Sequence, residues 1–337
     1  MTPELEALLR ATSRSFYLTL RILPASVRPQ IGLAYLLARA TDTIADTELV
    51  PVSDRLAALE ALRQRIEGTR SVPLDLRNLV ASSVANSSPA ERQLLERIEP
   101  ALALLPQQSA EDQRDIRSVL ATITGGQVLD LQRFGGASVS APEALAQDAE
   151  LDDYTYRVAG CVGEFWTRVT RRHCFPAVPM DEAQFVADGI RFGKGLQLVN
   201  ILRDIPRDLR SGRCYLPAPA LAAVGLKPGD LLIPASEPRL QPVYQYWLQR
   251  AEEHLTAGWR YTLTLPRSQW RLRLACAWPI LLGVRTLAHL RRGRVLDASH
   301  RIKVSRAEVR AILLGSLLRL VVPSAWEAQF QRASRLD

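Results

Sequence analysis

Cysteine is scarce, and the few that occur form no pair. The 337 residues hold four, Cys161, Cys174, Cys214 and Cys276, with no CxxC and no Cys–His cluster at zinc spacing. In a chain this long that excludes a disulfide scaffold and predicts reduced thiols in a reducing compartment. Long apolar runs are missing too. LACAWPILLGV is too short to span a bilayer, and Arg319 interrupts AILLGSLLRLVVPSAW. Alternating strand patterns are nearly absent. No GxGxxG sits on a strand–helix unit, which excludes a Rossmann nucleotide site. The opening MTPELEALLR is acidic and amphipathic, without a basic start or an apolar core, so no signal peptide is predicted. Together these absences predict a cytoplasmic protein, with at most a peripheral hold on a membrane surface.

What is present is helical. Apolar residues recur at three and four in LAYLLARATDTIADT, SDRLAALEALRQRI, QRDIRSVLATITGGQVLDLQRF, FVADGIRFGKGLQLVNILRD and VYQYWLQRAEEHLTAGWRYTL. Prolines fall mainly between these stretches. Hydrophobic residues make up 47% of the chain, which is incompatible with disorder. No repeat, low-complexity linker or shift in composition marks a boundary. The pattern predicts one all-α domain over residues 1–337. The net charge of +8 suits an anionic partner: nucleic acid, phospholipid or a phosphorylated substrate. Basic and acidic residues alternate instead of forming one basic helix, and no nucleic-acid motif is present, so no nucleic-acid partner is expected. Nothing in the sequence sets an oligomeric state; a monomer is the default.

Two segments carry chemistry. In NILRDIPRDLRSGRCYLP, Asn200, Asp204 and Asp208 lie at steps of four, so a helix projects them from one face, with Gln197 three before Asn200. Their oxygens suit a hard cation, and Mg²⁺ takes one or two carboxylates while bridging to phosphate oxygens. Far upstream, Asp42 and Asp46 are again four apart, with Arg39 three before Asp42 and Tyr35 seven before. One such array is usually a solvated helix face. Two arrays can face each other across a helical bundle as a metal-and-arginine cradle for diphosphate, because an arginine fork binds two phosphate oxygens at once. Pro206 lies between Asp204 and Asp208 and cannot donate to the carbonyl of Leu202, so a kink or loosening is expected there. Gly212 and Pro217 then end the run, and an arginine-bearing loop is expected to follow the helix.

The chain resembles the squalene and phytoene synthases, the head-to-head prenyl synthases. The matching pieces are SRSFYLTLRILP, YLLARATDTIAD, YTYRVAGCVGEFW and GLQLVNILRDIPRDLRSGRCYLP, in the family's order, over about residues 13–217. The resemblance implies a single all-α isoprenoid-synthase bundle around a central apolar cavity. It implies that Asp42 and Asp46, and Asp204 and Asp208, bind diphosphate through Mg²⁺ (Mn²⁺ in its place), with Asn200 and Gln197 beside the second pair. Ser13, Arg14, Ser15 and Phe16 match an N-terminal substrate-binding segment. Tyr35, Arg39, Arg203 and Arg213 match residues on the diphosphate side. Tyr156 matches a tyrosine that handles the proton near the cation; Tyr154 is the neighbour most easily confused with it, and either can be a core aromatic. Phe16, Phe165 and Trp166 offer aromatic faces to a cation, or simply core packing.

Within the family the C-terminal third looks like that of squalene synthases, which makes farnesyl diphosphate the expected substrate and NADPH the expected reductant. The cofactor-associated helices would lie within residues 240–330. Lys303 matches one residue of a basic pair linked to the nicotinamide cofactor; two positions on stands Ser305, and Arg306 follows. Arg291, Arg292, Arg294, Arg301 and Lys303 read equally as a solvated or membrane-facing patch. The alternatives are a presqualene diphosphate or hydroxysqualene synthase that stops short of reduction, a phytoene or dehydrosqualene synthase, and, outside enzymes, a basic helical nucleic-acid-binding or scaffold protein. No DDxxD run supports a head-to-tail prenyl synthase.

Overall fold

A computed structural model describes residues 3–13, 17–47, 49–82, 88–297, 299, 302–320 and 322–335. The fold is all-α, as the periodicity predicts, and the chain groups into two compact units, residues 1–135 with 165–177, and residues 136–164 with 178–337.

The first unit opens with α1 (Pro3–Ser13), α2 (Tyr17–Ile22), α3 (Arg28–Ala45) and α4 (Val52–Glu67). Four shorter or later helices complete its contiguous part: α5 (Arg77–Ser82), α6 (Pro89–Glu96), α7 (Ile98–Leu102) and α8 (Ala110–Arg133). Helix α3 forms its centre. Leu33, Leu36, Leu37, Ala40 and Ile44 repeat at three and four and are at most 1% exposed. They pack against α8, α4 and α6. Serines set two of the helix starts: Ser109 accepts from the Asp112 N–H at α8, and Ser88 with Glu91 forms a capping box at α6.

The second unit holds β1 (Glu143–Leu145), α9 (Asp148–Thr155), the start of α10 (Cys161–Cys174), α11 (Glu182–Arg210) and β2 (Arg213–Pro217). It continues with α12 (Ala218–Ala222), α13 (Glu237–Thr264), α14 (Trp270–Arg292), α15 (Arg306–Arg319) and α16 (Pro323–Ala333). Helix α11 is its spine and packs on α13 and α14. Between α9 and α10, residues Tyr156–Gly160 form a π-turn, a geometry that recurs at functional sites. Glycines let this turn and the start of α10 touch α11 backbone to backbone. A Cβ on Gly193 would stand 2.0 Å from the Ala159 carbonyl oxygen, and one on Gly163 would stand 1.9 Å from that of Gly189.

One local expectation is corrected. The loop expected after α11 is instead strand β2, paired parallel with β1 and holding Arg213 opposite Glu143. Gly212 makes the change of direction at φ +78°, where a Cβ would meet the Ser138 amide nitrogen at 2.3 Å. Pro206, where a kink or loosening is expected, lies inside α11, which stays helical to Arg210. Proline leaves the Leu202 carbonyl without its usual donor. The hydroxyl of Tyr244 on α13, fully buried, donates to that carbonyl at 3.1 Å. An unsatisfied buried carbonyl costs about 1–3 kcal/mol, so this bond permits the proline inside the helix.

Tyr244→Phe is therefore expected to destabilise the protein by about 1–3 kcal/mol in chemical denaturation. In a Pro206→Ala background the loss should shrink, because the substituted alanine restores an N–H to the same carbonyl. Equal losses in both backgrounds would show that the tyrosine stabilises by packing alone.

Candidate active site

The first aspartate array closes α3. Asp42 lies in its last turn and Asp46 is its C-cap, and that turn carries no basic residue. The C-terminal end of a helix bears the negative pole of its dipole, so carboxylates are disfavoured and a cation is welcome there. Burial, and then the charge of Asp46, pushes the Asp42 carboxyl up to about 7. Its side chain is 46% exposed, and water reaching the oxygens opposes that shift, but the direction is upward. Gln127 Nε2 on α8 donates to Asp42 Oδ1 at 2.5 Å. Arg39 stands 3.8 Å from Asp42 and makes its closest pair with Glu91. Glu91 is held in turn by the Ser88 N–H at 2.7 Å. Two carboxylates that repel each other at a helix's negative end fit a divalent cation.

Near this array Tyr35 donates to the Thr12 carbonyl at 3.1 Å, which ties α3 to the end of α1. Ser13, the last residue of α1, is buried, and its hydroxyl has no hydrogen-bond partner among the described residues. Arg14, Ser15 and Phe16 lie outside the described residues. Phe165 is buried at 5% exposure, and the Trp166 indole N–H is buried with no partner among the described residues.

The second array lies in the last turns of α11. Asn200 is exposed and Gln197, Asp204 and Asp208 are half-buried, while Leu198, Ile201, Leu202, Ile205 and Leu209 fill the opposite side. Because the helix survives Pro206, the steps of four hold through to Asp208. Arg203 grips its neighbour Asp204 with a fork, Nε at 3.0 Å and Nη2 at 2.7 Å. The same fork geometry suits a phosphate. Among the described residues, no three His, Cys, Asp or Glu side chains come together as a metal site. Magnesium needs no such cage, since it uses one or two carboxylates, water and substrate phosphate. The donor set at each array therefore fits Mg²⁺.

The two neighbouring tyrosines part company. Tyr154 stacks on Tyr215 of β2 with ring centres 4.7 Å apart, and its hydroxyl donates to that of Tyr215 at 3.2 Å. Tyr156 opens the π-turn and donates to Glu164 Oε2 at 3.2 Å. A tyrosine on a carboxylate can pass a proton onward; one stacked on a second tyrosine is a packing contact first. Lys303 and Arg306 are exposed, and Arg301 lies outside the described residues. Ser305, at the second position of the expected basic pair, caps α15 by accepting from the Glu308 N–H at 3.2 Å. Arg291 is paired with Glu252 at 2.5 Å.

Glu91 and Gln127 join the first array, and Glu164 joins Tyr156, without being singled out by the sequence. For Glu91 a signal is legible, since SPAE is a capping box. For Gln127 it is a polar residue on an otherwise buried stretch of α8. Glu164 gives no signal, because its link to Tyr156 runs across a π-turn that periodicity does not show.

A bifunctional lycopene cyclase/phytoene synthase of Gibberella fujikuroi is 32% identical over 253 residues, 73% of this chain but only 40% of that protein's own length. A presqualene diphosphate synthase of Zymomonas mobilis is 29% identical over 248 residues, 74% of this chain and 71% of that one. Among solved structures, the complex of TcSQS with E5700 superposes with a TM-score of 0.76 over 98% of this chain and 97% of that one; at 19% identity this likeness concerns the fold. The family model for squalene/phytoene synthase matches residues 9–308, which take in both aspartate arrays and Tyr156, and the chain belongs to that family of prenyltransferases.

Proposed function

We propose that this protein joins two molecules of farnesyl diphosphate head to head to give presqualene diphosphate. The observation that carries the reading is the pairing of a carboxylate array with an arginine at two helix C-terminal ends, Asp42 and Asp46 with Arg39, and Asp204 and Asp208 with Arg203. The presqualene diphosphate synthase of Zymomonas mobilis, aligned over 71% of its length, supports this product.

Magnesium, when held by these aspartates and Asn200, compensates the charge of the departing diphosphate, and electrostatic stabilisation of this kind contributes most to the rate of such a reaction. Arg39, Arg203 and Arg213 add fixed positive charge for diphosphate oxygens. Arg203 would exchange its carboxylate for phosphate when substrate arrives. The C1–O bond of one farnesyl diphosphate breaks, and the diphosphate leaves with the electron pair. The double bond of the second molecule attacks the allylic cation, and one proton is lost as the cyclopropane closes. Tyr156, whose hydroxyl donates to Glu164 Oε2, would take up that proton while passing its own to the Glu164 carboxylate. The released diphosphate is the other acceptor. Water would capture the cation, so the surrounding wall must be apolar and closed.

A second reading continues the reaction to squalene with NADPH. Exposed Lys303 and Arg306 favour it, since both can meet the cofactor's phosphates. Ser305, committed to capping α15, leaves the expected basic pair one member short, which is why the first half-reaction is preferred.

Three results are expected. Chelation with EDTA should abolish diphosphate release, and Asp204→Asn should keep the circular-dichroism spectrum while losing turnover; full turnover in metal-free buffer would remove the metal from the reading. Tyr156→Phe should slow the first half-reaction by about 100-fold or more, the scale of a general acid–base group, while Tyr154→Phe should be milder. The reverse ranking would exchange the two assignments. With farnesyl diphosphate and Mg²⁺, product analysis should give presqualene diphosphate both with and without NADPH. Squalene formed only with NADPH would establish the second reading, and a C40 product from the C20 substrate would establish the phytoene branch.

A further inference from the structure

Helix α15 carries an apolar stripe that nothing among the described residues covers. Leu314, Leu317 and Leu318 are 61%, 46% and 80% exposed, and Val322 just beyond is 47% exposed. At 3.6 residues per turn the three leucines share one side of the helix, within a sector of about 100°. Isolated exposed leucines are ordinary on any protein, but a contiguous group on one face marks an interaction surface. The helix cannot simply roll to hide them, because its other side is fixed. Ile312, Gly315 and Ser316 are buried there. Gln329 on α16 donates to the Ile312 carbonyl at 3.0 Å and to the Ser316 hydroxyl at 3.2 Å.

Charge on this element is one-sided. Lys303, Arg306 and Arg310 are exposed at its N-terminal end. The only acidic residue of α15, Glu308, turns inward to Arg285 at 2.7 Å and His289 at 2.9 Å. The helix itself therefore presents leucine and cation, with its one carboxylate turned inward. A second copy of the chain would bring no acidic group on this face to meet the arginines, whereas an anionic lipid surface meets both features. At 14 residues the helix is too short to cross a bilayer, and no helix among the described residues is long and apolar enough to do so. It suits a position in the plane of the interface.

We propose that α15 is an interfacial docking helix that seats the second unit on an anionic bilayer, with Leu314, Leu317 and Leu318 entering the headgroup–acyl boundary and Arg310 meeting lipid phosphate. The proposal does not depend on which prenyl product is made.

The test is flotation of the purified full chain with vesicles of phosphatidylcholine alone and of phosphatidylcholine mixed with phosphatidylglycerol, with sedimentation velocity in lipid-free buffer alongside. The wild-type chain should float with the anionic vesicles, and more weakly as salt is raised. The L314S/L317S/L318S variant, checked for unchanged helicity and melting, should bind those vesicles about tenfold less or worse. Arg310→Glu should lose the preference for anionic over neutral vesicles. Absence of wild-type flotation would overturn the proposal. So would wild-type binding by the triple-leucine variant, an Arg310→Glu variant that keeps the anionic preference, or self-association in lipid-free buffer that the leucine substitutions abolish.

Discussion

Negative charge is gathered where helices already end in negative charge. Asp42 and Asp46 close α3, and Asp204 and Asp208 occupy the last turns of α11. Lysine or arginine is the stabilising choice at such ends; α11 does carry Arg207 and Arg210 in its last turn, whereas the last turn of α3 has no basic residue. The first unit offsets the cost with Gln127 and Arg39, although Glu91, which holds Arg39, adds negative charge of its own, and the second does so with the fork of Arg203. Each offset is partial.

Much of this is legible in the sequence, because it rests on periods that do not depend on tertiary context. Steps of four place each aspartate pair on one helix face, and the scarcity of alternating patterns matches a fold whose only described sheet is the β1–β2 pair. What is not legible has a common cause. A proline's missing N–H at Pro206 is a local fact, while the Tyr244 hydroxyl that serves the Leu202 carbonyl in its place sits 42 residues from that carbonyl. Segment 213–217 reads as loop because a two-stranded parallel pair has too few residues to show a pattern. Ser305 reads as a gap in a basic pair until its role as a helix cap is visible.

Helix α11 connects these observations. It carries the second aspartate array at one end, and along its length it accepts the π-turn of Tyr156–Gly160 through Gly193 and, through Gly189, the start of α10. Lys194, beside Gly193 and only 9% exposed, is ion-paired with Asp152 on α9 and packs where a side chain on Gly160 would go. The tyrosine and the aspartate-bearing face of the second unit are therefore referred to one element. A shift in α11 would carry both.

The π-turn also acts as a phase adjuster. It holds one residue more than an α-helical turn would, and one residue corresponds to about 100° of rotation about a helix axis. Upstream of it, α9 turns Tyr154 toward Tyr215; downstream, α10 turns Gly163 onto Gly189. An uninterrupted α-helix through residues 148–174 could satisfy one of those two orientations but not both. The surplus residue decouples the two faces, so the chain can set a polar hydroxyl by one and a backbone-tight helix crossing by the other.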